Sequence, residues 1–203
     1  MQFVDLGGIK SDPGQVSCGV PQGSILGPLL FLLYMNDMPS IINPNCTLYL
    51  YADDSALSVA GDDLTKIERD LTENMLNVSK WLSQNRLSLH LGKTESILFG
   101  SNKKLKNSNP LSIVVDNVRL QETKCVKYLG AHIDDNLSGN TMFTNVINKI
   151  KCTMKFLYRN KSFMNFEVRK MLVNSLIQPR FDYACNIWFR CSGKTKQNAK
   201  VSE

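Results

Sequence analysis

The chain has 203 residues, 43% of them hydrophobic and 21% charged, which is ordinary for a globular protein and enough to bury a core. It begins without the basic start and apolar stretch of a signal peptide, and its longest apolar run, residues 25–35, is too short to span a bilayer. Its six cysteines form no CxxC pair. We therefore expect reduced thiols in an intracellular protein, cytoplasmic or nuclear, with no membrane partner.

Charge is distributed unevenly along the chain. Residues 144–203 carry a net charge of +9, and residues 1–143 carry a net charge of −3. A basic region joined to an acidic body suits a polyanionic partner such as nucleic acid. Solvated helix faces would give the same composition, so charge alone leaves both interpretations open.

The amino-terminal quarter predicts a hairpin, a loop and a helix. Short apolar runs at 3–6 and 15–18 flank a turn-rich segment and indicate two strands. Residues 19–24 contain Gly and Pro and predict an irregular loop. Residues 25–38 are apolar on every side, with Pro28 near the start, and predict a buried helix.

The tetrapeptide Tyr51-Ala52-Asp53-Asp54 lies between two apolar runs, 48–50 and 56–59. This pattern predicts strand, tight turn and strand, with two adjacent carboxylates at the tip. Such close carboxylates repel each other unless a cation lies near them, and oxygen ligands suit Mg²⁺. A surface turn rich in Asp is the alternative interpretation.

The rest of the chain predicts a mixed α+β body to about residue 140 and then a small helical unit. Asp62 or Asp63 is placed to cap a long helix that ends near Gln84, because apolar residues recur there every three or four positions. Further strands are predicted at 87–91, 96–99, 113–115, 118–120 and 127–130, a polar loop at 101–110, and helices from 144, the second ending at Pro179.

The loop Gly19-Val20-Pro21-Gln22-Gly23-Ser24 followed by Tyr51-Ala52-Asp53-Asp54 resembles the palm of reverse transcriptases, most closely those of non-LTR retrotransposons of the jockey-like type. Segments similar to later palm and thumb motifs follow in order, within 81–100, at 126–130 and within 175–184. The resemblance implies an α+β fold: a palm with an antiparallel sheet packed against helices in residues 1–140, an all-α thumb in 141–192 and a polar tail in 193–203.

The resemblance also implies RNA-directed DNA synthesis with Mg²⁺, or alternatively Mn²⁺. Asp53 would be the principal metal ligand and Asp54 the supporting one, with Tyr51 and Ala52 near the primer end. The nucleotide and template pocket would be lined by Gln22 and Gly23. Lys93 would neutralise or protonate the leaving pyrophosphate, and a solvated turn lysine is the alternative.

Residues of the helical unit would hold nucleic acid. Basic side chains along one predicted helix could follow a duplex backbone in a salt-dependent way; they are Lys149, Lys151, Lys155, Arg159 and Lys161. Trp81 and Trp188 could stack on bases, although their helical spacing favours core positions.

The family's first palm motif, which carries a third metal-binding Asp, and its fingers subdomain have no counterpart before Gly19. We therefore expect an N-terminally truncated reverse transcriptase, inactive alone. Its partners would be an RNA template, a DNA primer, deoxynucleoside triphosphates and the missing amino-terminal part. A catalytically inactive nucleic-acid-binding remnant and a translated relic without a role are the alternatives.

Overall fold

The structure is a computed structural model that describes residues 3–15, 19–20 and 23–189. Its strands are β1 Asp5–Leu6, β2 Ile9–Lys10, β3 Cys46–Tyr51, β4 Asp54–Val59, β5 Glu95–Ser96, β6 Val114–Val115, β7 Val118–Arg119, β8 Gln121–Glu122, β9 Cys125–Tyr128 and β10 Ala131–Asp134. Its α-helices are α1 Gly27–Met35, α2 Leu64–Gln84, α3 Asn102–Asn107, α4 Asn140–Arg159, α5 Phe166–Leu176, α6 Gln178–Asp182 and α7 Cys185–Trp188. The described chain is thus α+β.

The strands form two-stranded pairs. Four pairs are antiparallel hairpins, β1–β2, β3–β4, β6–β7 and β9–β10, and β5 pairs with β8 in parallel. Asp116 and Asn117, between β6 and β7, both have positive φ, as a two-residue hairpin turn of the I′ type requires. The strands predicted at 113–115 and 118–120 are confirmed in shortened form as β6 and β7.

The long helix α2 separates two hydrophobic cores. Its amino-terminal end is capped by Asp63, whose carboxylate accepts a hydrogen bond from the Thr65 amide at 3.0 Å. Val78 and Trp81 are buried in a core with α1 and β3. Further toward the helix start, apolar residues pack against the β6–β7 hairpin. Trp81 is therefore a core residue, as its spacing indicated.

The carboxy-terminal helices form a third core. Buried residues of α4 and Ile177 pack together with Ala131 of β10. Trp188 packs at the edge of this core between the rings of Phe143 and Phe181, with ring centroids 5.8 and 6.3 Å away. Helix α4 begins at Asn140, four residues earlier than predicted, because Gly139 with φ of +71° starts the helix.

The prediction that the apolar helix after the loop is buried was wrong. Helix α1 is shorter than predicted, and within it only Met35 is buried, whereas Leu32 and Leu33 are 61% and 65% exposed. Apolar residues on every side of a helix need covering elements on every side. Among the described residues only one side of α1 has such a cover, from the core shared with β3 and α2.

Several short elements also differ from prediction. Residues 87–90 form no strand, and a 3₁₀ helix, Leu91–Lys93, follows them. The strand predicted at 96–99 is reduced to Glu95–Ser96, and the polar segment 101–110 contains the short helix α3, capped by the Ser101 hydroxyl. The first hairpin turns tightly at Gly7-Gly8, and the predicted second strand lies partly outside the described residues.

Candidate active site

The two carboxylates lie at the tip of the longest hairpin in the described chain. Strands β3 and β4 are paired over six residues each, from Cys46 opposite Val59 to Tyr51 opposite Asp54. Alternate side chains of β3 point toward the core, so that Leu48 and Leu50 are half-buried while Tyr51 is 65% exposed. A fully paired hairpin with one buried face is stiff, which holds its turn in a fixed place.

The turn itself is formed by Ala52 and Asp53. The φ angle of Ala52 is +51°, the left-handed conformation that a two-residue hairpin turn requires at its first position and that glycine adopts most readily. The side chains of Asp53 and Asp54 are exposed, and neither has a hydrogen-bond or ion-pair partner within residues 3–15, 19–20 and 23–189. Their negative charge is thus open to a cation from solvent.

A buried polar network fixes the base of the hairpin on α2. Asn74 is fully buried; its amide donates to the Cys46 sulfur at 2.9 Å and to the Asp70 carbonyl at 2.7 Å. Its carbonyl oxygen accepts from the Asn43 amide at 2.8 Å. Asn45 in turn donates to the carboxylate of Asp70 at 2.5 Å. Burial and the nearby charge of Asp70 raise the pKa of Cys46. These contacts set where β3 begins.

The helix that follows the predicted substrate loop shares a core with this hairpin. Phe31 and Met35 of α1 belong to the same cluster as Leu48 and Leu50 of β3. The Ser24 hydroxyl accepts a hydrogen bond from the Gly27 amide at 3.0 Å, which fixes the last turn of the loop at the start of α1. The end of the loop at Ser24 is therefore fixed to a helix that shares its core with the β3–β4 hairpin.

Of the two residues predicted to line the nucleotide and template pocket, the structure describes Gly23 but not Gln22. Gly23 is exposed and has φ of +81°, and an added Cβ would have no described atom within 4 Å, so backbone conformation favours glycine there. Gln22 lies outside the described residues. Their assignment to a nucleotide and template pocket stays a prediction.

Lys93 ends the 3₁₀ helix Leu91–Lys93 and is exposed. Its amide donates to the carbonyl of His90 at 2.9 Å, and neighbouring Leu91 packs against the core of the β6–β7 hairpin. No hydrogen bond or ion pair joins Lys93 to the β3–β4 turn in the described chain. Its role as an acid stays a prediction.

The carboxylates at this turn could supply part of the coordination of a divalent cation. Two exposed carboxylates, Asp53 and Asp54, offer the hard oxygen ligands that Mg²⁺ and Mn²⁺ prefer. The described residues contain no group of three or more His, Cys, Asp or Glu side chains that could enclose a metal ion. The hairpin alone can therefore supply two protein ligands, and substrate phosphates, water or further protein must supply the others.

Comparison with known proteins defines the family. Residues 7–133, more than half of the chain, match the model of the reverse transcriptase (RNA-dependent DNA polymerase) family, and the chain belongs to that family. The matched region includes both the loop before α1 and the β3–β4 hairpin. No solved structure is significantly similar to the chain.

Curated relatives come from insect retrotransposons. The chain is 26% identical to the probable RNA-directed DNA polymerase from transposon X-element of Drosophila melanogaster, over 85% of this chain and 19% of the relative. It is 28% identical to the probable RNA-directed DNA polymerase from transposon BS of the same fly, over 88% of this chain and 20% of the relative. It is 21% identical to the RNA-directed DNA polymerase from mobile element jockey of that fly, over 91% of this chain and 21% of the relative. The predicted likeness to jockey-like, non-LTR elements is confirmed. The chain spans about a fifth of the length of these relatives.

Two features near the site, a buried side chain and an exposed helix face, were not predicted from the sequence. Asn74 was one of them, although it lies three residues after Leu71 and four before Val78, within the apolar stripe of α2. A polar residue in such a stripe is a readable signal of a buried hydrogen-bond network. The other is the exposed face of α1, because apolar residues on every side of that helix indicated burial. Among the described residues, no helix is long and apolar enough to cross a membrane.

Proposed function

We propose that this chain provides the metal-binding hairpin and the primer-holding region of an RNA-directed DNA polymerase. The supporting observation is that the side chains of Asp53 and Asp54, at the tip of a stiff hairpin, are exposed and have no hydrogen-bond or ion-pair partner among the described residues. This hairpin lies within the segment that matches the reverse transcriptase family. The substrates are an RNA template, a DNA primer and deoxynucleoside triphosphates.

The reaction joins the primer 3′ oxygen to the α-phosphorus of a nucleotide and breaks the bond from that phosphorus to the bridging oxygen of pyrophosphate. Bound divalent cations supply activation of the 3′ hydroxyl and charge neutralisation at the leaving oxygens. Asp53 and Asp54 would hold them with little reorganisation, because the hairpin is paired to its last residue. Lys93 would give a proton to, or neutralise, the departing pyrophosphate.

Primer binding is proposed for the cleft between β10 and the carboxy-terminal helices. This cleft, of about 330 Å³, has Lys149, Arg180, His132, Asn145 and Tyr183 in its lining, and the rest of the lining is Gly130, Met142, Val146 and Pro179. Arg180 also donates to the carbonyl of Lys149 at 2.6 Å, which fixes its guanidinium at the rim. Two cations and polar donors without an acidic neighbour in the lining suit a phosphodiester backbone. We also propose a division into a palm at 1–140 and a thumb at 141–192, because both segments contribute residues to the lining of this cleft.

Primer extension on poly(rA)/oligo(dT) with Mg²⁺ or Mn²⁺ tests this function. Because the described residues supply only two carboxylates at this turn, we expect extension by the wild-type chain alone to be weak. The double variant Asp53→Asn, Asp54→Asn is expected to abolish it. Asp62→Asn, an exposed carboxylate in an ion pair with Lys104, is the matched control and should extend normally. Extension by wild type no greater than that of the double variant overturns the proposal for this chain.

Metal binding is tested apart from activity. Mn²⁺ is paramagnetic and broadens NMR signals of nearby nuclei, so we expect loss of the amide signals of residues 51–55 at low Mn²⁺ concentration. The double Asn variant should keep those signals because it lacks both carboxylates. Uniform broadening across the chain would show that the hairpin is no preferred metal site.

A further inference from the structure

Four exposed aromatic side chains lie within residues 156–166, which run from the last turn of α4 through the connection to the first residue of α5 and are named the aromatic loop here. Phe156, Tyr158, Phe163 and Phe166 are 61%, 70%, 86% and 66% exposed. The core of the helical unit takes other side chains from the same stretch, such as the buried Leu157. Aromatic side chains are the largest apolar groups available to a core. Four of them in solvent mark a surface that binds something.

Basic side chains alternate with these rings. Lys155, Arg159 and Lys161 are exposed, and none of them has an ion-pair partner in the described part of the chain. The ammonium of Lys161 lies 4.1 Å above the centre of the Tyr158 ring. Between residues 140 and 189 there are eight Lys and Arg residues and two acidic residues, so the surface around the loop is positive.

The combination of charge and rings decides which partner fits. Centres of protein interfaces are depleted in Lys, whereas here lysines alternate with the aromatic side chains. A second copy of this chain would bring two positive surfaces together, which is unfavourable. Nucleic acid offers negative phosphates at the spacing of its bases and flat π faces that stack on aromatic rings. In a duplex those faces are stacked on each other, so the rings select unpaired nucleotides.

We propose that the aromatic loop is a stacking platform for single-stranded nucleic acid. Bases stack on Tyr158, Phe163 and Phe166, and phosphates lie against Lys155, Arg159 and Lys161. This site uses neither the carboxylates of the β3–β4 turn nor nucleotidyl transfer, so it stands even if the proposed polymerase activity fails. Single-stranded RNA and single-stranded DNA present the same chemistry, and the test separates them.

Fluorescence anisotropy of labelled oligonucleotides with the full chain tests the proposal. Four probes of equal length are compared: oligo(U) RNA, oligo(dT) DNA, an abasic DNA strand and a fully paired duplex. Base-bearing single strands should bind about fivefold or more tightly than the abasic strand, because each stacked base adds affinity that phosphates alone do not. Tighter binding of oligo(U) than of oligo(dT) would identify RNA as the source, and the reverse would identify DNA.

Variants assign the effect to the loop. The triple variant Tyr158→Leu, Phe163→Leu, Phe166→Leu should lose the preference for base-bearing strands while keeping salt-dependent binding of the abasic strand. Phe3→Leu is the matched control, since Phe3 is 48% exposed and lies 5.0 Å below the ammonium of Lys10. Lys161→Gln should reduce the slope of log affinity against log salt by about one phosphate contact.

Three results would overturn the proposal. One is equal affinity for abasic and base-bearing strands. Another is an equal loss in Phe3→Leu and in the triple variant. The last is a wild-type dimer in sedimentation velocity that the triple variant converts to a monomer with binding unchanged. Circular dichroism should show an unaltered unfolding midpoint for the variants, because the replaced side chains are exposed.

Discussion

The hydroxyl of Tyr183 donates a hydrogen bond to the carbonyl oxygen of Leu129, a residue 54 positions earlier in the chain. Leu129 and Gly130 form the turn between β9 and β10, and both have positive φ. The Tyr183 ring lies against Gly130, where an added Cβ would be 3.5 Å from the hydroxyl oxygen. The last hairpin of the body is thus fastened directly to the helical unit that follows it.

Replacing this hydroxyl tests how firmly the two parts are joined. Tyr183→Phe removes the donor but keeps the ring, and because Tyr183 is 52% exposed we expect a loss of about 0.5–1 kcal/mol in the free energy of unfolding. Chemical denaturation measures it. Tyr49→Phe is the control, since the Tyr49 hydroxyl has no partner in the described residues and its loss should change little.

Gly139 is a second point of close approach between these parts. A Cβ added there would lie 2.3 Å from the Ile187 carbonyl oxygen and 2.8 Å from the Trp188 Cα, both of them backbone atoms. We expect Gly139→Ala to displace α7 and to cost about 1–3 kcal/mol beyond the cost of its positive φ. Gly130→Ala shares the positive φ without such overlap, with its nearest neighbour at 3.5 Å. Equal destabilisation of the two variants in thermal unfolding would contradict the overlap argument.

The buried carboxylate of Asp134 makes stability depend on pH at the start of α4. Burial alone raises its pKa, but hydrogen bonds from Thr141, Ser138 and Cys125 together outweigh burial and hold the pKa below its ordinary value. The Ser138 hydroxyl donates to it at 2.8 Å. A lowered pKa in the folded state means that the ionised carboxylate stabilises the fold above about pH 4 and that this contribution is lost as pH falls through the folded pKa.

Asp134→Asn should therefore lower the free energy of unfolding at neutral pH by about 1–3 kcal/mol, because charge-assisted hydrogen bonds are lost. The difference from wild type should shrink as the pH falls below about 4. Urea denaturation at several pH values measures it, with Asp135→Asn as the neighbouring control. An equal difference in the free energy of unfolding between variant and wild type at all pH values would show that the charge of Asp134 contributes nothing.

Asn74 should be the most sensitive polar residue of α2. Asn74→Ala would leave the Asn43 amide without its acceptor and remove both donors to β3 and to the Asp70 carbonyl, so we expect a loss of about 2–3 kcal/mol. Asn77→Ala on the same helix breaks one longer bond, 3.4 Å to the Ile41 carbonyl, and should cost less. The comparison is made by thermal unfolding, and a larger effect at Asn77 would contradict the network.

Local patterns in the sequence determined the β3–β4 and β6–β7 hairpins and the long helix. Alternation of apolar residues around Asp53 and Asp54 predicted β3, its turn and β4, since a half-buried strand places every second side chain inside. The capping residue and three-to-four spacing predicted α2. The two motifs joined by a known spacing also predicted the family, which the comparisons confirm.

Only the tertiary structure decided what those elements contact. The alternating pattern of residues 87–91 predicts a strand, but residues 87–90 are irregular and Leu91 begins a 3₁₀ helix. Pairing depends on whether a partner strand lies beside the segment, which the pattern does not contain. Likewise, the composition of α1 predicts burial, but exposure depends on what covers it. The Tyr183–Leu129 bond and the close approach at Gly139 join residues about fifty positions apart, and no periodicity in a single sequence encodes such a contact. They arise from how the helices close on β10.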